Sequence, residues 1–333
     1  MSQHKSHCDP QSRVSLDTRT WITIFGFLLI TGIATVLPSL STLEGSLYEY
    51  IRMTWWAVLL GFFLGGVIDH FVPEDFIFRI MGRRRTSSIF AAVISGFILS
   101  ACSHGILALS MQLYKKGASI PAVIAFLLAT PWANLPVTIL LFGFFGWQAF
   151  VFIGGAMLIA VTTGLCYQVL ARHGLIEDPI EVQYDEDYEW EAVKNFEFKQ
   201  AVRGTWQGSL SLMNMVLWWI LLGILASAVI GAYVPDEFMT RYLGMGIYGL
   251  LLTLGVATII EVCSEASSPI AFEIYQSVGS LGNPFVFLMA GVATDYTEIG
   301  LLWTTIGKRA ALWLPVIAVP QIVFLAWLFN VLI

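Results

Sequence analysis

The sequence predicts an all-α polytopic membrane protein that crosses the bilayer about nine times. Of its 333 residues, 57% are hydrophobic and only 12% are charged, whereas a soluble globular domain carries about 25% charged residues. Several long stretches contain no Asp, Glu, Lys or Arg, and a helix of roughly 20 apolar residues is long enough to cross the hydrocarbon core. These observations exclude an ordinary soluble enzyme and a disordered chain.

Nine transmembrane helices are predicted from the uncharged stretches. They cover residues 20–38, 54–72, 88–113, 121–146, 149–170, 209–234, 245–275, 284–305 and 310–332. The first of them stands alone behind a tail at 1–19. It is expected to be retained, because its apolar run is too long for a signal peptide and no small-residue cleavage site follows it.

The Lys and Arg residues predict a cytoplasmic N-terminus, because positive charge is enriched on the cytoplasmic side of membrane proteins. With nine spans, ten of the 17 Lys and Arg residues fall on the side of the N-terminus and seven on the opposite side, which receives the segment 171–208. The expected location is the bacterial inner membrane, with lipid as the surrounding medium. The net charge of −6 offers no basic surface for a nucleic acid.

The hydrophilic segment 171–208 separates two halves that resemble each other. It carries nine acidic and four basic residues and is interpreted as a solvated linker. Three motifs recur at separations of 161 to 163 residues: Trp55-Trp56 with Trp218-Trp219, Pro73–Phe76 with Pro235–Phe238, and Cys102-Ser103 with Cys263-Ser264. The halves, 54–170 and 209–333, are predicted to be internal repeats of about four spans each. Parallel and inverted halves both stay open, because one re-entrant segment per half would invert them.

Each half contains two places where Pro, small and polar residues interrupt an apolar span. They lie at 101–105 and 129–136 in the first half, and at 261–269 and 290–295 in the second. Irregular backbone is tolerated at membrane depth only where it lines a cavity or is buried in protein, and paired breaks mark the substrate site of many secondary transporters. The predicted substrate-binding residues are Cys102, Ser103, His104, Thr130, Pro131, Asn134, Cys263, Ser264 and Asp295.

Three ionisable residues in these breaks are predicted to carry protons. Glu261 and Glu265 lie one turn apart on one helix face, and His104 occupies the position of Glu265 in the other half. An acid inside a span costs about 2.5–3.5 kcal/mol on the insertion scale, so it is a functional candidate. A neutral or cationic group that faces an acid suits a proton-coupled site. The alternative is that the acids only hold helices together through hydrogen bonds.

The cysteines indicate the class of solute. Cys102 and Cys263 occupy equivalent positions, and two thiols near mid-membrane would suit a soft, thiophilic solute. The alternative is that both are small buried packing residues, which is also the role expected of Cys166. The sequence predicts no bound cofactor and no resident metal.

The segment around the first pair of breaks resembles the signature of the ArsP-type permeases. It reads Ala-Cys-Ser-His-Gly at 101–105, Lys-Gly-Ala-Ser at 116–119 and Ala-Phe-Leu-Leu-Ala-Thr-Pro-Trp-Ala-Asn at 125–134. His104 stands where the family pattern usually has a second cysteine. The resemblance extends in spacing over most of 54–333. It implies a permease, and some members of the family export trivalent organoarsenicals from bacteria.

We therefore expect a proton-coupled secondary exporter of a soft metalloid, metal or organoarsenical solute, and not an enzyme. The sequence has no Walker A motif for ATP hydrolysis. Two alternatives stay open. One is an intramembrane thiol-dependent enzyme that uses Cys102 and His104, and the other is a transporter of another small anion or sulfur compound. The oligomeric state is left open.

Overall fold

The computed structural model describes residues 16–71, 86–96, 103–115, 117–177, 198–260 and 264–332, and all regular structure in these ranges is helical. The α-helices are α1 (Thr18–Val36), α2 (Ser41–Phe71), α3 (Thr86–Ser95), α4 (Ser103–Lys115), α5 (Ile120–Ala133), α6 (Leu135–Phe145), α7 (Ala149–Arg172), α8 (Phe198–Tyr233), α9 (Asp236–Tyr242), α10 (Ile247–Ile260), α11 (Ser264–Val278), α12 (Gly282–Thr294), α13 (Tyr296–Thr305) and α14 (Lys308–Leu332). Short 3₁₀ turns lie at Pro38–Leu40 and Gly146–Gln148. The predicted all-α membrane class is confirmed.

Helices α7 and α14 run antiparallel to each other. Gly155, near the start of α7, packs against Leu325, near the end of α14; a Cβ on Gly155 would lie 3.2 Å from the Leu325 Cδ2. At the other end of the pair, the Tyr167 hydroxyl of α7 donates a hydrogen bond of 2.6 Å to the Ala310 carbonyl of α14. The start of one helix therefore lies beside the end of the other.

Two glycine turns mark the two ends of the bundle. Gly146 has φ 55° and precedes α7, and Gly307 has φ 150° and precedes α14. Glycine adopts positive φ without the steric cost that a Cβ would bring. Because α7 and α14 are antiparallel, the two turns lie at opposite ends, which are called the Gly146 end and the Gly307 end below.

Helices α5 and α6 form one broken span that runs from the Gly307 end to the Gly146 end. At the start of α5, the Pro121 carbonyl packs against Gly164, near the end of α7. At the end of α6, Phe145 lies 4.6 Å from Phe152, near the start of α7, measured between ring centroids. The break falls at Asn134, whose backbone is extended (φ −63°, ψ 146°).

Helices α12 and α13 form a second broken span, which runs in the opposite direction. Phe285, at the start of α12, stacks on Phe152 at the Gly146 end with 6.3 Å between ring centroids. Helix α13 ends just before the Gly307 turn. The break falls at Asp295, whose carboxylate accepts a hydrogen bond of 2.6 Å from the Thr297 backbone N–H and so caps α13.

Helices α3 and α4 enter the bundle from the Gly307 end and return to it. Thr86, at the start of α3, forms a hydrogen bond of 3.2 Å with Gln168, near the end of α7. Gly96, directly after α3, packs on Thr130, close to the break between α5 and α6. Helix α4 ends at Lys115, and only residues 116–119 separate it from the start of α5.

Helices α10 and α11 form the equivalent pair at the Gly146 end. Asn283, at the start of α12, donates a hydrogen bond of 3.1 Å to the Thr253 hydroxyl of α10. Thr258, near the end of α10, lies 2.8 Å from the Thr294 hydroxyl next to the second break. Helix α11 then returns, and only residues 279–281 separate it from α12.

Two of the nine predicted spans, 88–113 and 245–275, are therefore wrong as single crossings. Each is divided into two short helices whose outer ends lie at the same end of the bundle. By length and composition, six helical segments of the described residues could cross a membrane, or seven if α9 and α10, which meet at a bend of 104°, form one span. Within the described residues, the directions of the helices are consistent with seven candidate crossings: α1, α2, α5–α6, α7, α8, α12–α13 and α14.

Helices α2 and α8 pack antiparallel between the two halves. Gly66, near the end of α2, packs directly against Ser209, in the first third of α8. Tyr50, near the start of α2, bonds to Glu273, which lies beside Gly231 near the end of α8. Both helices are longer than expected: α2 begins at Ser41 and not at 54, and α8 begins at Phe198, inside the segment predicted as linker.

The helices of the two halves begin at matching positions. Helices α3, α4 and α6 begin 161 residues before α10, α11 and α13, respectively. The broken spans α5–α6 and α12–α13, which hold corresponding places in the order of the helices, run in opposite directions through the bundle. Each half thus contributes one long helix, one pair of half-length helices, one broken span and one final span.

Candidate functional site

A cavity opens where the long helices of both halves meet a helix break from each half. Its volume is about 20 Å³, measured for the centre of a water-sized sphere, and it is partly open to the exterior; this is enough for about one water molecule. Four helices line it, namely α2, α6, α8 and α11. Its wall consists of Ala57, Val58, Gly61, Phe62, Asn134, Pro136, Leu140, Leu212, Val216, Ile220 and Glu265. The described part of this wall is apolar apart from the side chains of Asn134 and Glu265.

The side chain of Asn134 is held at the cavity because it caps a helix. Its side-chain oxygen accepts a hydrogen bond of 2.8 Å from the Val137 N–H and caps the N-terminus of α6, where unpaired backbone N–H groups need an acceptor. Asn134 is 1% exposed, and its Nδ2 has no hydrogen-bond partner among the described residues. A buried amide donor without a partner is costly, so this amide is a candidate group for binding a solute.

Glu265 reaches the same cavity from the other half. It lies in the first turn of α11, is 4% exposed, and accepts a hydrogen bond of 3.1 Å from the Ser264 hydroxyl. A carboxylate in the first turn is favoured by the partial positive charge of a helix N-terminus. Gly223 of α8 allows close approach, because a Cβ there would lie 2.6 Å from the Ala266 carbonyl oxygen.

Three other predicted site residues lie close to the breaks without lining the cavity. The Thr130 hydroxyl donates a hydrogen bond of 2.6 Å to the Phe126 carbonyl one turn earlier, within α5. Pro131 is buried inside the same helix. Asp295 occupies the position in the second half that Asn134 occupies in the first, and it caps α13 through the N–H groups of Thr297 and Glu298.

Five of the remaining predicted residues lie wholly or partly outside the described residues. Cys102, Glu261 and Cys263 lie outside the described residues, and the side chains of Ser103 and His104 also lie outside them. The backbone of Ser103 starts α4 and that of Ser264 starts α11. The expectation that Cys166 is a packing residue is wrong, because its side chain is exposed on α7.

One buried pair was missed by the sequence reasoning. The Tyr50 hydroxyl of α2 donates a hydrogen bond to the Glu273 carboxylate of α11. Glu273 lies within the apolar stretch 245–275 that was predicted as a span, so the criterion that selected Glu265 also applied to it. No sequence signal points to Tyr50, which lies 223 residues away.

Comparison with known proteins assigns this chain to a family. The model of ArsP_1, described as a predicted permease, matches residues 42–331. UPF0718 protein YcgR of Bacillus subtilis is 25% identical over 255 residues, which cover 76% of this chain and 84% of that protein. A Streptococcus mutans protein named as a predicted subunit of a two-component membrane permease complex is 22% identical over 252 residues, which cover 74% and 80% of the two chains.

A further relative is Rv2963 of Mycobacterium tuberculosis, named as a predicted permease. It is 27% identical over 243 residues, which cover 66% of this chain and 59% of that protein. No solved structure matches the chain. The family match covers nearly the whole helical bundle and confirms the resemblance seen around residues 101–134. This chain therefore belongs to the ArsP_1 family of predicted permeases.

Proposed function

We propose that this protein is a proton-coupled secondary transporter, and that its solute binds in the cavity between α2, α6, α8 and α11. The observation that carries the proposal is the meeting of Asn134 and Glu265 in one cavity. These residues come from helix breaks in different halves of the chain. In many secondary transporters the substrate binds near mid-membrane, where repeats related by inverted topology meet at discontinuous helices.

The opposed directions of the two broken spans support an inverted internal repeat. In such transporters, one repeat moves against the other around a central site, so that the site faces each side of the membrane in turn. Here α2 and α6 from the first half and α8 and α11 from the second share the walls of the cavity. Relative movement of the halves would then change the access to it.

Glu265 is the coupling group in this proposal. Among the residues that the structure describes, it is the one acid in the wall of the cavity, so a solute that enters meets its carboxyl group directly. Binding of a cationic or electrophilic solute favours the ionised carboxylate, and binding of a proton favours release of the solute. This competition is sufficient to exchange one for the other across the membrane.

The proposed solute is a soft metalloid, metal or organoarsenical, and the proposed direction is export. Cys263 directly precedes Ser264 and Glu265, and Cys102 precedes Ser103 at the equivalent position. Thiolates prefer soft, thiophilic ions. The apolar wall suits an organic substituent, because pockets for small organic molecules are mostly apolar with few polar groups.

The test of coupling is the variant Glu265→Gln in reconstituted liposomes. Gln retains the size and part of the hydrogen bonding of Glu but cannot release a proton. We expect a folded protein that exchanges solute across the membrane without a gradient but has lost the flux driven by an imposed pH gradient. The measurements are solute flux with and without the gradient and thermal unfolding in detergent.

Glu237→Gln is the matched control, because Glu237 is exposed on α9 outside the cavity. It removes one carboxylate without touching the site and should leave the driven flux unchanged. A folded Glu265→Gln protein that is still fully driven by the gradient would contradict the assignment of Glu265. Unfolding of Glu265→Gln alone would mean that Glu265 is a structural residue.

The thiols are tested with a trivalent organoarsenical as the solute. Cys102→Ser and Cys263→Ser should each weaken its transport, because a hydroxyl is a poor ligand for a soft centre. Cys166→Ser is the control, since Cys166 is exposed on α7. Wild-type transport by a protein that lacks both Cys102 and Cys263 would exclude thiol ligation and leave Asn134 and Glu265 as the binding groups.

A further inference from the structure

A buried tyrosine–glutamate pair joins the two halves of the chain outside the cavity. The Tyr50 hydroxyl donates to the Glu273 carboxylate, and the two residues are 4% and 8% exposed. Gly231 of α8 lies against this carboxylate, because a Cβ there would be 2.7 Å from the nearer oxygen. Three helices, α2, α8 and α11, therefore converge on one hydrogen bond.

Aromatic rings fill the space around this pair. Tyr50 packs edge-on against Phe144 and Phe272, each with 6.2 Å between ring centroids. Phe272 lies 5.4 Å from both Phe144 and Phe145. These rings come from α2, α6 and α11 and are all buried. Edge-to-face contacts of this kind add to the stability that burial gives, so the helices are held together tightly here.

The aromatic cluster and the cavity lie on the same helices at different heights. In α2, Tyr50 is two turns from Ala57 of the cavity wall. In α6, Phe144 is one turn beyond Leu140, and in α11, Glu273 is about two turns beyond Glu265. Every displacement is toward the Gly146 end. The cluster therefore lies between the cavity and that end of the bundle.

Toward the Gly307 end, α2 and α8 make a contact of a different kind. Gly66 of α2 packs on the backbone of Thr205 and Ser209 in α8, which leaves no space between the two helices. That contact is made by backbone and small side chains. The contact on the Gly146 side is instead made between side chains, by the Tyr50–Glu273 hydrogen bond and the aromatic rings around it, and such contacts can form and break as the helices move.

We infer that Tyr50 and Glu273 form the latch of a gate that separates the cavity from the Gly146 end. The bond joins α2 of the first half to α11 of the second, so it must break when these helices separate. The surrounding rings exclude water while the bond is made. This inference uses the proposed function only in taking the cavity as the solute site.

The experiment measures access to the cavity and does not require transport. Val216, in the wall of the cavity, is replaced by Cys in the full chain in liposomes. A membrane-impermeant thiol reagent is added from either side, and peptide mass spectrometry reads the modification at position 216 separately from the native cysteines. Tyr50→Phe keeps the ring and removes only the donor. We expect it to increase the labelling rate severalfold from the side that the Gly146 end faces.

Tyr167→Phe is the matched control. Its hydroxyl also joins the two halves, through a bond of 2.6 Å from α7 to the Ala310 carbonyl of α14, but it does not border the cavity. This variant should leave labelling at position 216 unchanged. If Tyr50→Phe labels like the wild type, or if Tyr167→Phe raises labelling equally, the latch is overturned.

A second variant links the effect to the bond itself. Glu273→Leu removes the acceptor, and the double variant Tyr50→Phe with Glu273→Leu should label no faster than either single variant, because both remove the same interaction. Additive increases would mean that the residues act separately and would also overturn the latch. Failure of solute transport, by contrast, would affect the proposed function and leave the labelling result intact.

Discussion

The side-chain amide of Asn134 has two roles, one for its oxygen and one for its nitrogen. The oxygen caps α6, and the nitrogen is buried in the wall of the cavity, where none of the described residues bonds to it. Sequence reasoning identified this residue through the Pro-rich interruption around it, but it could not divide the two tasks. A pair of substitutions can separate them, because carboxylate oxygens cap helices as well as amide oxygens do.

We predict that Asn134→Asp and Asn134→Ala differ in stability but both lose solute binding. Asp retains the capping acceptor and removes the amide donor, whereas Ala removes both. Loss of a cap costs about 1 kcal/mol, so Ala should lower the unfolding temperature in detergent. Asp retains the cap, so at a pH low enough to keep this buried carboxyl group protonated it should lower the unfolding temperature less than Ala does. Solute-binding titrations supply the second measurement. Wild-type binding by Asn134→Asp would mean that the free amide does not contact the solute.

At the scale of elements, glycines set how closely the long helices approach the breaks. A Cβ on Gly223 of α8 would lie 2.6 Å from the Ala266 carbonyl oxygen of α11, whereas a Cβ on Gly154 of α7 would meet nothing within 4 Å. The same substitution should therefore have opposite effects at the two positions.

Gly223→Ala should destabilise the protein and Gly154→Ala should not. Overpacking of a tight contact costs about 1–3 kcal/mol, because α8 and α11 must separate to admit the methyl group. Replacing Gly by Ala in an open helical position gains about 0.5–1 kcal/mol. Thermal unfolding of both variants in detergent measures the difference. Equal shifts in the same direction would contradict the close contact.

The sequence was sufficient to place the breaks, but not the paths of the helices between them. Asn134 and Asp295 lie at the ends of apolar helices, and the prediction of interruptions there rested on local Pro and polar residues. The stretch 88–113 has the length and apolar character of a complete span, so nothing local indicates that it turns back. The turn follows from distant contacts, such as Thr86 with Gln168.

The residues of the candidate site were also predicted only in part: the residues were selected from the sequence, but their contacts were not. Asn134 and Glu265 were both selected from the sequence, and the fold brings them to one cavity. Thr130 was selected for the same reason, yet its hydroxyl bonds to its own helix. The partner of a hydroxyl or an acid depends on which helices pack together, and a sequence with apolar residues on every face does not specify this.

For the whole molecule, the helix directions change the distribution of charge. The nine predicted spans divide the 17 Lys and Arg residues as ten and seven. In the observed order, α1 begins beside Asn214 in the first half of α8. Of the Lys and Arg residues that the structure describes, seven lie at or near helix ends on the Gly307 side: Arg19, Lys115, Arg172, Lys199, Arg203, Lys308 and Arg309. Arg52 and Arg241 do not. This strong bias is what membrane insertion favours on the cytoplasmic side.

We therefore predict that the Gly307 end and the segment 171–208 face the cytoplasm, on the same side as the N-terminus. Trp147 is 83% exposed at the Gly146 turn, and His173 is exposed directly after α7. An impermeant thiol reagent added to intact cells should label Trp147→Cys from outside and should not reach His173→Cys. Nine consecutive spans require the reverse, so this pair of variants distinguishes the two topologies.

If the two halves are inverted repeats, as proposed, the contacts of Gly61 and Gly223 predict a second conformation. These glycines lie 162 residues apart on the equivalent helices α2 and α8, yet Gly61 packs on Pro136 of α6, whereas Gly223 packs on Ala266 of α11. The two halves have thus adopted different internal arrangements of the same parts. In a second state, each half would take the arrangement that the other half has here. Because inverted halves are related by a pseudo-twofold axis in the membrane plane, the cavity would then open to the opposite side of the membrane. In that state we expect Gly61 to rest on Gly105 and Gly223 on Thr297.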